Sequence, residues 1–194
     1  RRVLRTGGLL KCQFNGLLEE PSRAADTWSG ARFRPEELRE FCRAQDFQLL
    51  LLEGADTQNL WMAAAKRPAG WGRTLRAVAG ARLLRITNAY TTDRVVPAAG
   101  RFSSASLWVD DLTSDADLNN LEVEIGGRRA APCYVGRYSW NGPSQVNVFL
   151  PAGTPTGVVP ARLWMLGEPI SNYAPLRVIP PPPAAPRLLS VTDG

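Results

Sequence analysis

Hydrophobic and polar residues change rhythm about a third of the way along this chain. "GLLKCQFNG" (8–16) alternates, with Leu10, Cys12 and Phe14 on one side and Lys11, Gln13 and Asn15 on the other, which predicts a strand. "RPEELREFCRAQDF" (34–47) predicts a helix, because Leu38, Phe41 and Cys42 fall at i, i+3, i+4. Pro35 suits the first helical position, Glu36 and Glu37 favour the positive end of the dipole, and Arg43 lies near the other end. "FQLLLLEG" (47–54) reads as a largely buried strand. "NLWMAAAKR" (59–67) reads as another, with helix as the competing reading for its alanines. Ahead of the first strand, "RVLRTGG" reads as the last turn of a helix and its glycine stop.

Beyond a connector at 68–80, "PAGWGRTLRAVAG", the period becomes two. "ARLLRITN", "SASLWVDD", "LEVEIGG", "PCYVGRYS", "SQVNVFLP", "ARLWMLGE" and "PLRVIPP" are short strands set apart by Gly, Pro, Asn and Asp. Roughly seven such strands in about 100 residues predict an antiparallel sandwich of immunoglobulin type, without the Cys…Trp…Cys signature of antibody domains. "PPPPAAP" reads as a polyproline II spacer and "RLLSVTDG" as the opening of a further β element. The expected organisation is an α/β segment over 1–67, a linker over 68–80, an all-β immunoglobulin-like sandwich over 81–179, and a Pro-rich end over 180–194.

Composition narrows the chemistry. Histidine is absent, which removes Ser-His-Asp triads, Cys-His dyads and His-ligated metals. Three cysteines, Cys12, Cys42 and Cys133, are widely spaced with no C-x-x-C, so no zinc site or disulfide framework is expected. They read as small buried hydrophobes in a reducing compartment, which makes a cytoplasmic location the default. The net charge of +5 is carried almost wholly by arginines scattered among acids, so no nucleic-acid partner is expected. No apolar run approaches the ~20 residues of a membrane span, and no membrane partner is expected. The chain does not begin with Met, and the true N-terminus is expected upstream.

Three stretches invite a functional reading. In "DDLTSDADLNN" (110–120), Asp115, Asp117 and Asn119 imitate positions 1, 3 and 5 of an EF-hand loop. Asn120 replaces its glycine and Gly126 its final glutamate, so a solvated turn between strands is expected instead of a metal site. Tyr138, Trp140 and Asn141-Gly142 are placed to form an aromatic loop tip for sugar or protein, or to mark a hairpin. Glu36 and Glu37 are neighbours that do not face each other, a poor acid/base pair.

Residues 1–68 resemble the C-terminal portion of class I S-adenosylmethionine (SAM)-dependent methyltransferases. Arg2-Val3-Leu4-Arg5-Thr6-Gly7-Gly8-Leu9-Leu10 is similar to that family's "RVLKPGG" handover from helix four to strand five, with Thr6 in place of Pro. "RFRPEELREFCRAQDFQLLLLEG" is similar to its next helix and strand six, with Asp46-Phe47 where "GF" is usual, and "NLWMAAAKRP" to strand seven. The resemblance implies three strands and a helix from the end of a Rossmann-like sheet, strand seven running antiparallel between five and six. It implies methyl transfer from SAM to an unknown acceptor in the intact parent. The family's Asp/Glu-x-Gly-x-Gly loop is missing from these residues, so the chain alone is expected to bind no SAM and to be inactive. In an intact enzyme the long loop starting at Asn15 would border a substrate pocket through Asn15 and Trp28. The competing expectation is that Trp28 and Phe33 staple the following helix.

"LEVEIGGRRAAPCYVG…SQVNVFLPAGTPTGVVPARL" resembles the IPT/TIG-like immunoglobulin-like modules of bacterial multidomain proteins. Such modules bind, space or present, which implies a protein or carbohydrate partner. The competing function is a non-enzymatic interaction protein whose α/β segment is a docking subdomain.

Overall fold

The first alternating stretch forms β1 (Leu9–Phe14), and Leu10, Cys12 and Phe14 turn to the core. A computed structural model of the chain describes residues 4–16, 32–137 and 142–181. Helix α1 (Pro35–Ala44) starts at Pro35 and buries Leu38 and Cys42. The Glu37 carboxylate accepts a 2.7 Å hydrogen bond from the Arg34 amide at the helix start. Phe41 is not part of the buried stripe; it stacks on Phe47 at 6.0 Å on the exposed flank. Next come β2 (Phe47–Glu53) and β3 (Leu60–Lys66), so the alanine-rich segment is strand. Its neighbours on both sides decide this, since β3 lies between β1 and β2 and is antiparallel to each. β1 and β2 are therefore parallel, with α1 in the crossover between them.

The connector is not extended throughout: it holds one helical turn, α2 (Trp71–Thr74). Then follow β4 (Arg82–Asn88), β5 (Val95–Pro97), β6 (Ser104–Asp110), β7 (Leu121–Ile125), β8 (Arg128–Ala130), β9 (Tyr134–Arg137) and β10 (Ser144–Phe149). The last are β11 (Gly157–Met165), β12 (Glu168–Pro169) and β13 (Ala174–Ile179). Gly126 and Gly127, at φ 57° and 80°, turn the β7–β8 hairpin, where a two-residue connection requires positive φ.

Two sheets result, and the all-β sandwich expected of the second half is present. One sheet has seven strands in the order β1-β3-β2-β9-β10-β6-β4, the other six, with β5-β13-β11-β7-β8 as its path and β12 beside β11. The three strands of the first half are thus not a sheet of their own, because β2 continues into β9. They join at one register pair, Leu51 with Tyr134. β1 is the edge strand at one end. α1 and the six-stranded sheet lie on the same side of the seven-stranded sheet, and one cluster of buried side chains runs under both.

The segment expected as a solvated turn is the seam of the molecule. β2 carries a bulge between Leu49 and Leu51, and β9 pairs with it only at Leu51. The Leu49 backbone is satisfied by the 113–120 loop. Its N–H donates to Asp117 Oδ2 at 3.0 Å, and its C=O accepts from the Leu118 N–H at 2.9 Å. Asp117 Oδ1 accepts from the Asn119 and Asn120 amides, both at 2.9 Å. Gln48 Nε2 donates to the carbonyls of Ser114 and Ala116, and Arg39 Nη1 to that of Leu118. The connector is fastened to the same loop, with Trp71 Nε1 donating to Asp115 Oδ1 at 3.1 Å and Arg67 3.6 Å from that carboxylate. Asp117 is 1% exposed, and burial pushes its carboxyl above the ordinary range, against the pull of its three N–H donors.

Replacing Asp117 leaves three amides without their acceptor. Asp117→Ala should lower stability by about 3 kcal/mol, since each unsatisfied buried donor costs about 1–3 kcal/mol. Asp117→Asn removes the buried charge but turns an NH2 towards backbone donors, so it should recover part of that loss only. Urea unfolding followed by circular dichroism reads both; an unchanged midpoint for Asp117→Ala would contradict this role.

Candidate functional site

The outward face of β4, β6 and β10 carries polar residues that are nonetheless buried. Along β6, Ala105, Leu107 and Val109 face the core, so alternation turns Ser104, Ser106 and Trp108 outward. Ser104 and Ser106 are each only 2% exposed. Ser106 Oγ donates to Asn147 Oδ1 at 2.7 Å, and Gln145 Nε2 lies 2.9 Å from that same oxygen and 3.2 Å from Ser106 Oγ. Trp108 Nε1 donates to Thr87 Oγ1 at 3.1 Å. Arg85 lies over the Trp108 ring, 4.9 Å from its centroid.

Arg85, Thr87, Ser106, Trp108 and Gln145 line a groove of about 440 Å³, together with Asn88, Ala89 and Thr92 at the end of β4 and in the loop after it. Asn88 holds that loop: its Oδ1 accepts from the Tyr90 and Thr91 amides and its Nδ2 donates to the Phe102 carbonyl. Thr92 lines the groove with φ at 63°, left-handed backbone that a β-branched residue rarely adopts. The same loop brings Tyr90 against Phe102, ring centroids 5.7 Å apart, with both side chains exposed. No carboxylate among the described residues lines the groove, and Asp93 in the loop is engaged by the Thr91 hydroxyl at 2.7 Å.

Residues singled out from the sequence lie elsewhere. Asn15 is 1% exposed at the end of β1, and its carbonyl accepts from the Phe33 amide at 3.2 Å. Phe33 packs edge-on to Phe14 at 4.9 Å, so it closes β1 onto the start of α1. Trp28, Tyr138, Trp140 and Asn141 lie outside the described residues. Asn15 and the groove are not brought together: β1 and β4 are opposite ends of the seven-stranded sheet. The EF-hand-like spacing forms no cation cage, because Asp115 and Asp117 face N–H donors. Among the described residues no cluster of three or more acidic or cysteine ligands occurs. No helix among them is long and apolar enough to cross a membrane.

Sequence reasoning missed the groove. The signal was present in part, since "SASLW" and "SQVN" put Ser106, Trp108, Gln145 and Asn147 at outward positions. That β4, β6 and β10 are neighbours is a matter of topology, which alternation does not encode. Comparison with family models, curated proteins and solved structures finds no match for this chain.

Burial disfavours the thiolate form at Cys42 and Cys133. Desolvation pushes the Cys42 thiol up to about 12 and the Cys133 thiol to about 11. Cys42 Sγ donates to Met62 Sδ at 3.7 Å, and Cys133 Sγ lies 3.5 Å from the Asn147 carbonyl. A thiol near 11 is only about one part in a thousand thiolate at pH 8. Iodoacetamide at pH 8 should therefore leave Cys42 and Cys133 unmodified in the native chain and alkylate both in urea, as read by peptide mass mapping.

Proposed function

We propose that this chain is the C-terminal part of a SAM-dependent methyltransferase joined to an immunoglobulin-like sandwich that binds a ligand through its outer groove. One observation carries the first half of the reading. β3 lies between β1 and β2, antiparallel to both, with α1 in the crossover from β1 to β2. Strands five, seven and six of class I methyltransferases take this order, and a strand inserted antiparallel between two parallel neighbours is an uncommon device. The start of α1 agrees with it, Pro35 and Glu37 opening the helix where that family's helix opens.

The residues present do not fit SAM. The family holds SAM on a glycine-rich loop between a strand and the helix that follows it. Gly7-Gly8 leads into β1, and Gly126-Gly127 turns a β-hairpin. No step of methyl transfer is assigned to these residues, and the cofactor-binding strands belong N-terminal to Arg1 in this reading.

The groove supports the second half. Its polar floor is prearranged, and the described residues that line it include neither a carboxylate nor a histidine, which favours recognition over acid/base chemistry. Recognition there is compatible with a parent methyltransferase and equally with a non-enzymatic interaction protein. The coding sequence upstream decides between these: the reading requires a strand followed by Asp/Glu-x-Gly-x-Gly. Calorimetry with SAM on the 194-residue chain should show no heat of binding, and micromolar affinity would overturn the placement of the cofactor site outside it.

A further inference from the structure

The groove's unused hydrogen-bonding groups point to one class of ligand. We infer that it binds an acidic saccharide, with the sugar carboxylate on Arg85 and sugar hydroxyls on Thr87 and Gln145. This rests on the reading of the groove as a binding site and adds the identity of what it takes.

Most floor groups are already matched, with Ser106, Asn147 and the Gln145 amide nitrogen bonded to one another. Asn88 is spent on the loop. What remains is mostly donors. Arg85 lies over the Trp108 ring, its guanidinium carbon 4.9 Å from the centroid, and has no ion pair or hydrogen bond among the described residues. Stacking leaves the N–H edge of a guanidinium open to a carboxylate, which it can take in bidentate fashion. The Thr87 oxygen accepts from Trp108 Nε1, so its own proton is available to donate. Gln145 Oε1 is the matching acceptor for a ligand hydroxyl. One open cation, one hydroxyl donor and one amide acceptor over a rigid floor match an acid that also carries hydroxyls.

Two further features agree. Among the described residues no lining carboxylate competes for Arg85 or repels an acidic ligand. The loop after β4 sets the exposed Tyr90 ring edge-on to the exposed Phe102 ring of the loop before β6, with Arg101 5.8 Å from the centre of Phe102. Aromatic faces take the apolar side of a pyranose, and a second cation extends the preference for acidic units along a chain of them. The shape agrees as well, since about 440 Å³ is the size of a ligand of a few rings.

The test is calorimetry at low ionic strength on the full 194-residue chain, with three probes. They are an α-1,4-linked tetragalacturonate, a neutral maltotetraose, and glutarate, an acid without hydroxyls. Tetragalacturonate should bind with a Kd between about 10 μM and 1 mM. Arg85→Gln should weaken it about tenfold or more, the scale of a charge-assisted pair. Arg177→Gln, an exposed arginine on the other sheet, should leave it unchanged. Thermal melts of both variants should match the parent, because Arg85 is exposed.

Maltotetraose binding as tightly as the uronate, with no effect of Arg85→Gln, would overturn the acidic class while leaving the groove a binding site. Glutarate binding as tightly as the uronate would overturn the saccharide. No heat with any probe up to about 5 mM, weaker than useful recognition, would overturn both the ligand class and the groove as a binding site.

Discussion

The structure depends on how β2 closes its inner edge. A strand inside a sheet must pair both of its sides, because buried N–H and C=O groups left alone cost free energy. β2 has β3 along one side, but β9 meets it on the other at Leu51 alone. The gap at Leu49 is filled by a loop in place of a strand. Asp117 supplies the acceptor and the Leu118 amide the donor that a neighbouring strand would have given. The bulge at Leu49–Leu51 and this loop are two halves of one solution: the bulge turns the strand, and the loop satisfies what the turn exposes.

Everything on either side inherits its position from that seam. The loop that pairs with Leu49 runs straight into β7, so the six-stranded sheet is fixed relative to β2 by a few residues. Arg39 reaches Leu118 from α1, and Asn119 Nδ2 reaches back to the Arg39 carbonyl at 3.4 Å. The helix and the second sheet thereby share a layer, and the core beneath them is continuous. With that side occupied, the groove lies on the outward face of the seven-stranded sheet.

Local pattern exposed the elements well and their partners poorly. The alternation of Leu10, Cys12 and Phe14 identified the inward face of β1, and Pro35 marked the start of α1. The glycine pair at 126–127 gave the hairpin, because positive φ at two successive residues leaves few alternatives. The alanines of β3 carry little preference of their own; two flanking strands settle their state. β5, β8 and β12 are two or three residues long, too short for alternation to register. The acidic run at 110–120 misled because charge usually signals solvent. Asp117 is buried by what it bonds to, and those partners are Leu49, 68 residues away in sequence, and the amides of Asn119 and Asn120 in the loop itself. The groove was hidden for the same reason, its walls coming from strands whose adjacency is set by the fold.

The groove divides into a finished floor and an open rim, and under the proposed binding role this division is what would make recognition specific. Ser106, Asn147 and Asn88 have their hydrogen bonds made before any ligand arrives, so they hold shape at no further entropic cost. The left-handed backbone at Thr92 persists because the loop is tied on both flanks, Thr92 N–H to the Asn88 carbonyl and Asn88 N–H to that of Asp93. Arg85 differs in kind. Its place over Trp108 restrains the long side chain, and its charge has no counterion among the described residues, so binding there need break no pair that they form. A charge held in place but unneutralised, beside groups whose geometry is already fixed, favours a ligand that supplies both the missing charge and the remaining hydrogen bonds. Any ligand supplying only one of these leaves the other half of the groove solvated, and gains correspondingly less from entering it.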